Sequence, residues 1–259
     1  MLDKFKIEIS KSLEVKPELL PFIPELLQDL WELGSAPDLI SDIIKPMHLS
    51  AGKTKVLDPG CGKGAVSITL AQKFGFITTG VDAFEPFLQE ARKKASEYGV
   101  TDLCSFQLGD IREYVKEAKN FDVVVYASVG NILGSLDEII TKVRKTINTG
   151  GYIIIDDCYL KGKKKLNREG YEYYVPHTEA IKLLTSAGDK LIKEITLSEE
   201  ENRKINYGYL HSIKRRASEL ITKHPDFEEL INEYVRNQEV ECEVIDKYLT
   251  GVIGLLQKN

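Results

Sequence analysis

Between residues 55 and 157 the chain alternates short apolar runs with longer amphipathic ones. The apolar runs are KVLD (55–58), FITTGVD (76–82), LCSFQLGD (103–110), FDVVVYA (121–127) and GYIIIDD (151–157). They are rich in Val, Ile and Phe and nearly continuous in apolar character. Such runs suit strands buried on both faces, as in a parallel sheet. Helical periodicity fills the gaps at 65–74, 86–98, 111–118 and 136–147. Pro86 suits a first helical turn and Gly99 the position just past a helix end. Strand–helix alternation at this spacing predicts a doubly wound α/β sheet.

Upstream, the pattern predicts two helices. One runs from Pro24 to Leu33 and ends at Gly34. The next has Ser35 as N-cap, with Asp38 completing a capping box, and stops near Pro46. Downstream of residue 157, KGKKKLNREGYEYYVPHT reads as a polar, tyrosine-rich loop. A helix follows at 178–187 and a strand at 190–198. Two long helical stretches, 199–222 and 226–248, are broken at His224-Pro225, and TGVIGLLQK closes the chain as a final strand. The expected organisation is therefore a helical cap over 1–50, a core of 51–198 plus 249–259, and an inserted helical pair, 199–248, that covers the substrate side.

At 259 residues and 42% hydrophobic composition, the chain can bury one sizeable core. The net charge of -5 argues against a nucleic-acid partner. Cys61, Cys104, Cys158 and Cys242 form no CxxC pair and no zinc spacing with histidine, so no metal is expected. The charged first residues carry no signal-peptide core, and no window approaches about 18 unbroken apolar residues. A reduced, cytoplasmic setting with no membrane contact is expected. Oligomeric state is not readable, and the leading helices could pair two subunits.

The candidate chemistry lies in VLDPGCGKG, residues 56–64. A Walker loop ends in GK[ST] after a strand; here Gly52-Lys53-Thr54 precedes the strand, and Met47 stands where the first glycine belongs. A dinucleotide fingerprint needs GxGxxG, but the third glycine is one residue early and Ala65 holds its place. Asp58 separates the readings further. A carboxylate beside a bound pyrophosphate would repel it, whereas it would suit a cation. The stretch resembles the first motif of the class I S-adenosylmethionine-dependent methyltransferases, an acidic residue followed by GxGxG. The resemblance covers about residues 50–198 and the closing strand. It implies a Rossmann-like, seven-stranded, mostly parallel sheet with an antiparallel last strand, here with N-terminal helices and a helical insertion before that strand.

It also implies a cofactor, S-adenosyl-L-methionine, with S-adenosyl-L-homocysteine as product. By resemblance, Asp58 lies near the cofactor's amino group, and Gly60, Gly62 and Gly64 admit close backbone approach, with Cys61 between them as a small buried filler. Asp82, with Ala83 beside it, ends the second strand and would accept from both ribose hydroxyls. An N-cap role for Asp82 is the plainer alternative. Asp110 would accept from the adenine amine while Ile111 packs on the ring. Asp110 also suits an N-cap, with Glu113 completing a capping box. Ala127, in YASVGN, falls beside the cofactor, and Asn131 opens the acceptor side.

No catalytic residue is fixed by the sequence. Asp156 and Asp157 end the fifth strand, and Asp157 is the favoured base; a loop cap or salt bridge to nearby lysines is the alternative. His177 is a second candidate, against a capping or solvated histidine. Tyr159, Tyr171, Tyr173 and Tyr174 could wall a pocket or pack the loop. Trp31 could line the site or pack in the core. Lys161, Lys163, Lys164 and Lys165, and Lys214, Arg215 and Arg216, read as solvated faces or as steering for an acidic substrate. The expected activity is methyl transfer to a small molecule. The alternatives are an RNA or protein methyltransferase, a non-catalytic cofactor binder and a dinucleotide-dependent oxidoreductase. The absence of an NPPY-like tetrad after the fourth strand opposes nucleobase methylation.

Overall fold

The structure is a computed structural model and describes residues 4–163 and 165–259. Its helices, in chain order, are α1 (Lys4–Ser12), α2 (Ile23–Leu26), α3 (Pro37–Ile44), α4 (Ala65–Phe74), α5 (Glu85–Glu97), α6 (Ile111–Glu117), α7 (Leu136–Val143), α8 (His177–Leu184), α9 (Glu199–Lys223) and α10 (Glu228–Tyr248). The strands are β1 (Lys55–Pro59), β2 (Ile77–Asp82), β3 (Cys104–Leu108), β4 (Phe121–Ala127), β5 (Ile147–Leu160), β6 (Lys190–Thr196) and β7 (Leu249–Gln257). Two compact units emerge. One holds residues 32–197 and 250–259; the other holds the chain up to residue 31 with residues 198–249.

In the sheet unit the strand order is β3-β2-β1-β4-β5-β7-β6. β1 to β5 pair in parallel, and β7 runs antiparallel to β6. The near-continuous apolar runs are explained by burial on both sides. Leu57, Val124, Tyr126, Ile153 and Ile155 pack with Ile139, Ile140 and Val143 of α7 and Leu184 of α8. Their strand neighbours Val56, Val123, Val125 and Ile154 pack with Ile40, Ile43 and Ile44 of α3 and Val66 and Leu70 of α4. Alternation along each strand thus serves two cores, as a doubly wound sheet requires.

Several boundaries are corrected. The helix expected over 24–33 is only Ile23–Leu26, preceded by a 3-10 turn over Pro17–Phe22. Pro17, Pro21 and Pro24 withhold N–H donors that a longer helix would need. Trp31 consequently lies in a bend, not on a helix. Ser35 does not cap the next helix: its hydroxyl donates to the Glu32 carbonyl at 2.7 Å, and Ala36 is the N-cap. Pro37, with helical φ already set, begins α3. The expected helix over 136–147 stops at Val143, because Ile147 already pairs with Phe121 in the sheet. α1 lies in a segment for which the sequence pattern assigned no element.

In the helical unit, α9 starts with a capping box, Ser198 and Glu201 exchanging bonds with each other's backbone. The N-terminal segment is tied to α9 and α10 by ion pairs. Asp29 accepts from Arg215 at 2.6 Å and from Arg216 at 2.5 Å, Lys16 meets Glu233 at 2.6 Å, and Lys223 pairs with Glu25. The Arg216 and Arg215 guanidinium groups pull the Asp29 carboxyl down to about 2. The Phe22 ring packs at 4.8 Å on Phe227. Among the described residues, no helix is long and apolar enough to cross a membrane.

Candidate functional site

From β1 the chain winds outward through β2 to β3, then returns to lay β4 on the opposite side of β1. The carboxyl end of β1 is therefore the topological switch point, where open α/β sheets bind ligands. The glycine loop leaves the sheet there. An open groove of about 470 Å³ also lies at the amino ends of β1, β4 and β5, lined by His48, Lys53, Asp122, Asn148 and Tyr152. It is on the other edge of the sheet and gathers none of the candidate cofactor-binding or catalytic residues.

Gly60, Gly62 and Gly64 all have positive φ, at 80, 51 and 75 degrees. A Cβ at Gly60 would come within 2.7 Å of Val129, and one at Gly64 within 2.8 Å of the Phe106 ring. Both constraints exclude other residues, so the loop's tight path requires glycine. Cys61 is buried, and burial pushes its thiol well above the ordinary value.

Asp58 is buried at the end of β1. Its Oδ2 accepts from the Ser67 hydroxyl at 2.7 Å and the Ser67 amide at 3.2 Å. Burial pushes its carboxyl up to about 7, more than these bonds pull it down. At the end of β2, Asp82 Oδ2 accepts from the Gly62 amide at 2.9 Å and Oδ1 from the Phe84 amide at 2.8 Å. It is not an N-cap, since Phe84 holds that position for α5. Burial raises its carboxyl as well. Ala83 follows, half-buried.

Beyond β3, Asp110 is the N-cap of α6 and accepts from the Arg112 amide at 2.8 Å. The expected capping box is corrected: Glu113 pairs instead with Lys116 at 2.7 Å, and the Arg112 guanidinium lies on Asp110 at 2.6 Å. Arg112 is the main reason that the Asp110 carboxyl sits below its usual range. Ile111 is buried with Val115, and Ala127 is buried at the end of β4. Asn131 is exposed.

The paired carboxylates ending β5 diverge. Asp156 is buried and its Oδ2 accepts from the Ala36 amide at 2.8 Å. Asp157 turns to the opposite face, where the Tyr173 hydroxyl donates to both its oxygens at 3.1 and 3.2 Å. The Tyr173 and Tyr174 rings pack at a tilt with centroids 4.2 Å apart. Burial pushes Asp156 up to about 7 and Asp157 up to about 6. His177 is engaged elsewhere: its Nε2 lies 2.9 Å from Glu194, and its ring packs on Tyr159. Lys161, Lys163 and Lys165 are exposed, and Lys164 lies outside the described residues. Among the described residues, no group of His, Cys, Asp and Glu is placed to hold a metal ion.

Sequence reasoning missed three participants. Lys63, inside the glycine loop, is wholly buried against Glu90 at 3.0 Å. A lysine between glycines gives no hint of burial. Ser67 was signalled only by being a small polar residue on an otherwise apolar helix, and Arg112 only by its nearness to Asp110.

A family model described as "Methyltransferase domain" matches residues 50–223. Methyltransferase GfsG of Streptomyces halstedii is 26% identical over 172 residues, covering 62% of each chain. A ubiquinone biosynthesis O-methyltransferase of Rickettsia akari is 28% identical over 163 residues, covering 57% of this chain and 62% of its own. The chain spans less than two thirds of the length of the curated relatives it matches. Among solved structures, a SAM-dependent methyltransferase from Thiobacillus denitrificans, crystallised with S-adenosyl-L-homocysteine, superposes with a TM-score of 0.76 at 18% identity, covering 92% of this chain and 98% of that one. With a family match over well more than half its length and this sheet order, the chain belongs to the methyltransferase-domain family and has the class I, Rossmann-like fold.

Proposed function

We propose that this chain is an S-adenosylmethionine-dependent methyltransferase acting on a small-molecule acceptor and releasing S-adenosyl-L-homocysteine. One observation carries the reading. Three carboxylates, Asp58 near the end of β1, Asp82 at the end of β2 and Asp110 two residues beyond β3, follow three adjacent parallel strands around a glycine loop at the switch point. This set of acceptors suits a cationic nucleoside. Asp82 takes backbone N–H groups from the glycine loop and the start of α5, and a carboxylate's roughly four acceptor sites still leave room for ribose hydroxyls. Asp110 can accept from the adenine amine if it shares its oxygens with Arg112. Asp58 would answer the amino group, and Gly60, Gly62 and Gly64 let the backbone come close. Cys61, Ala83, Ile111 and Ala127 complete the lining.

When bound, the cofactor supplies a methyl group already activated on a sulfonium. The protein's own work is to align the acceptor, exclude water and accept a proton. Alignment of two reactants can contribute roughly 7–11 kcal/mol. Asp157 is the base in this reading, held by Tyr173 and poised with its carboxyl near 6, so it is ionised at neutral pH. His177, paired with Glu194, is the less suited candidate. The ubiquinone-biosynthesis relative supports a small-molecule acceptor.

A screen of small-molecule pools for methyl transfer from labelled cofactor tests this. Asp157→Asn is expected to lower turnover about 10²–10⁴-fold while cofactor affinity stays within about twofold. Unchanged turnover removes Asp157 from the reaction. If no pool accepts a methyl group while protein or RNA does, the acceptor class is wrong.

A further inference from the structure

Lys63 lies between Gly62 and Gly64, and its side chain has no solvent exposure. Lysine is almost never fully buried unless paired. Here Nζ is 3.0 Å from Glu90 Oε2, on α5, and 5.7 Å from the centre of the Phe87 ring, also on α5. Glu90 keeps about a quarter of its side chain in solvent. The ion pair ties the glycine loop to α5, and breaking a pair with a buried member is costly.

That constraint reaches the proposed ribose carboxylate by two routes. Along the chain, α5 begins three residues after Asp82. Through space, the residue before Lys63 donates its amide to Asp82 at 2.9 Å. Asp82, α5, Glu90, Lys63 and Gly62 thus form a closed circuit of covalent, ionic and hydrogen-bonded links. All three loop glycines sit in left-handed backbone, where only glycine rests without strain and where flexibility is greatest. Backbone bonds from Gly60 and Cys61 to the Val81 carbonyl hold the start of the loop, and the buried Lys63–Glu90 pair ties its far half to α5.

We propose that Lys63 and Glu90 are positioning residues: the pair fixes the glycine loop so that Gly62 orients Asp82 before the cofactor arrives. The inference rests on the methyltransferase reading of this site and goes beyond it, because neither residue belongs to the acidic and glycine motif that suggested the reading. Lys63 touches no ligand in this account. Its contribution is preorganisation, which raises affinity by removing the cost of ordering the loop on binding.

The test is calorimetry with S-adenosyl-L-homocysteine on the full chain, using Lys63→Met and the milder Glu90→Gln, each alone and combined with Asp82→Asn. Glu90→Gln keeps shape and removes only charge, so it guards against misfolding of the lysine variant. Each single variant is expected to weaken binding about tenfold, which corresponds to about 1.4 kcal/mol. In the Asp82→Asn background the further loss is expected to shrink below about twofold, since the pair acts through Asp82. A purely structural role would lower the melting temperature and leave this coupling at zero. Wild-type binding with unaltered affinity in both single variants, or an equal loss in both backgrounds, overturns the inference alone. Absence of binding by the wild type overturns the cofactor reading and this inference with it.

Discussion

Asp58 carries the most informative charge in the molecule. One oxygen takes both donors of Ser67, yet burial still lifts the carboxyl to about 7. An approaching cation favours the ionised form and would push it back down. Binding of S-adenosylmethionine at pH 7 is therefore expected to release roughly half a proton, falling toward zero by about pH 9, where the group is already ionised. Titrations in two buffers of different ionisation enthalpy measure this directly. Proton uptake, or no transfer at pH 7, would separate Asp58 from the cationic end of the ligand. Asp110 and Arg112 set a second condition at this scale. The guanidinium lies on both carboxylate oxygens, so an adenine amine must share them.

At the scale of elements, the glycine loop and its helix show where the fold admits only glycine. Gly64 is the N-cap of α4, with φ at 75 degrees. A Cβ there would sit 2.8 Å from Phe106 and 3.0 Å from Ala91. Gly64→Ala is expected to cost roughly 1–3 kcal/mol from the backbone conformation alone. At this chain length that lowers the melting temperature by about 2–4 °C per kcal/mol, readable by calorimetry. An unchanged melting temperature would mean that the loop is not held as described. The same elements explain what was legible beforehand. β1, β4 and β5 were legible because burial on both faces leaves a continuous apolar run, and α5 because Pro86 and Gly99 mark its ends. Capping was not: Ser35 and Pro37 both announce a helix start, and only the packing of α3 decides between them. Three prolines between residues 17 and 24 could mark one helix start or a broken turn, and the broken turn formed. In the site, residue types carried the carboxylates and glycines into view, while Lys63, Ser67 and the Arg112–Asp110 pair depend on long-range placement that spacing does not encode.

At the scale of the whole molecule, buried acids set the response to pH. Asp58 and Asp156 are lifted to about 7 and Asp157 to about 6, so the native state keeps protons that an unfolded chain sheds near pH 4. Unliganded stability is expected to rise as pH falls from about 8 to about 5. Below about pH 4 the trend reverses, as Asp29, lowered to about 2 by Arg216 and Arg215, begins to lose its pairing in the helical unit. Denaturant titrations across this range check both limbs; a stability that falls steadily from pH 8 to 5 contradicts the burial described for the three acids. The most direct measurement of the central claim is side-by-side calorimetry of the full chain with S-adenosylmethionine and with NAD. The account predicts one saturable site for S-adenosylmethionine, weakened roughly 10²-fold or more by Asp82→Ala as two hydrogen bonds worth ~1.5–3 kcal/mol each are lost, and much weaker NAD binding. Tighter binding of NAD than of S-adenosylmethionine would contradict it.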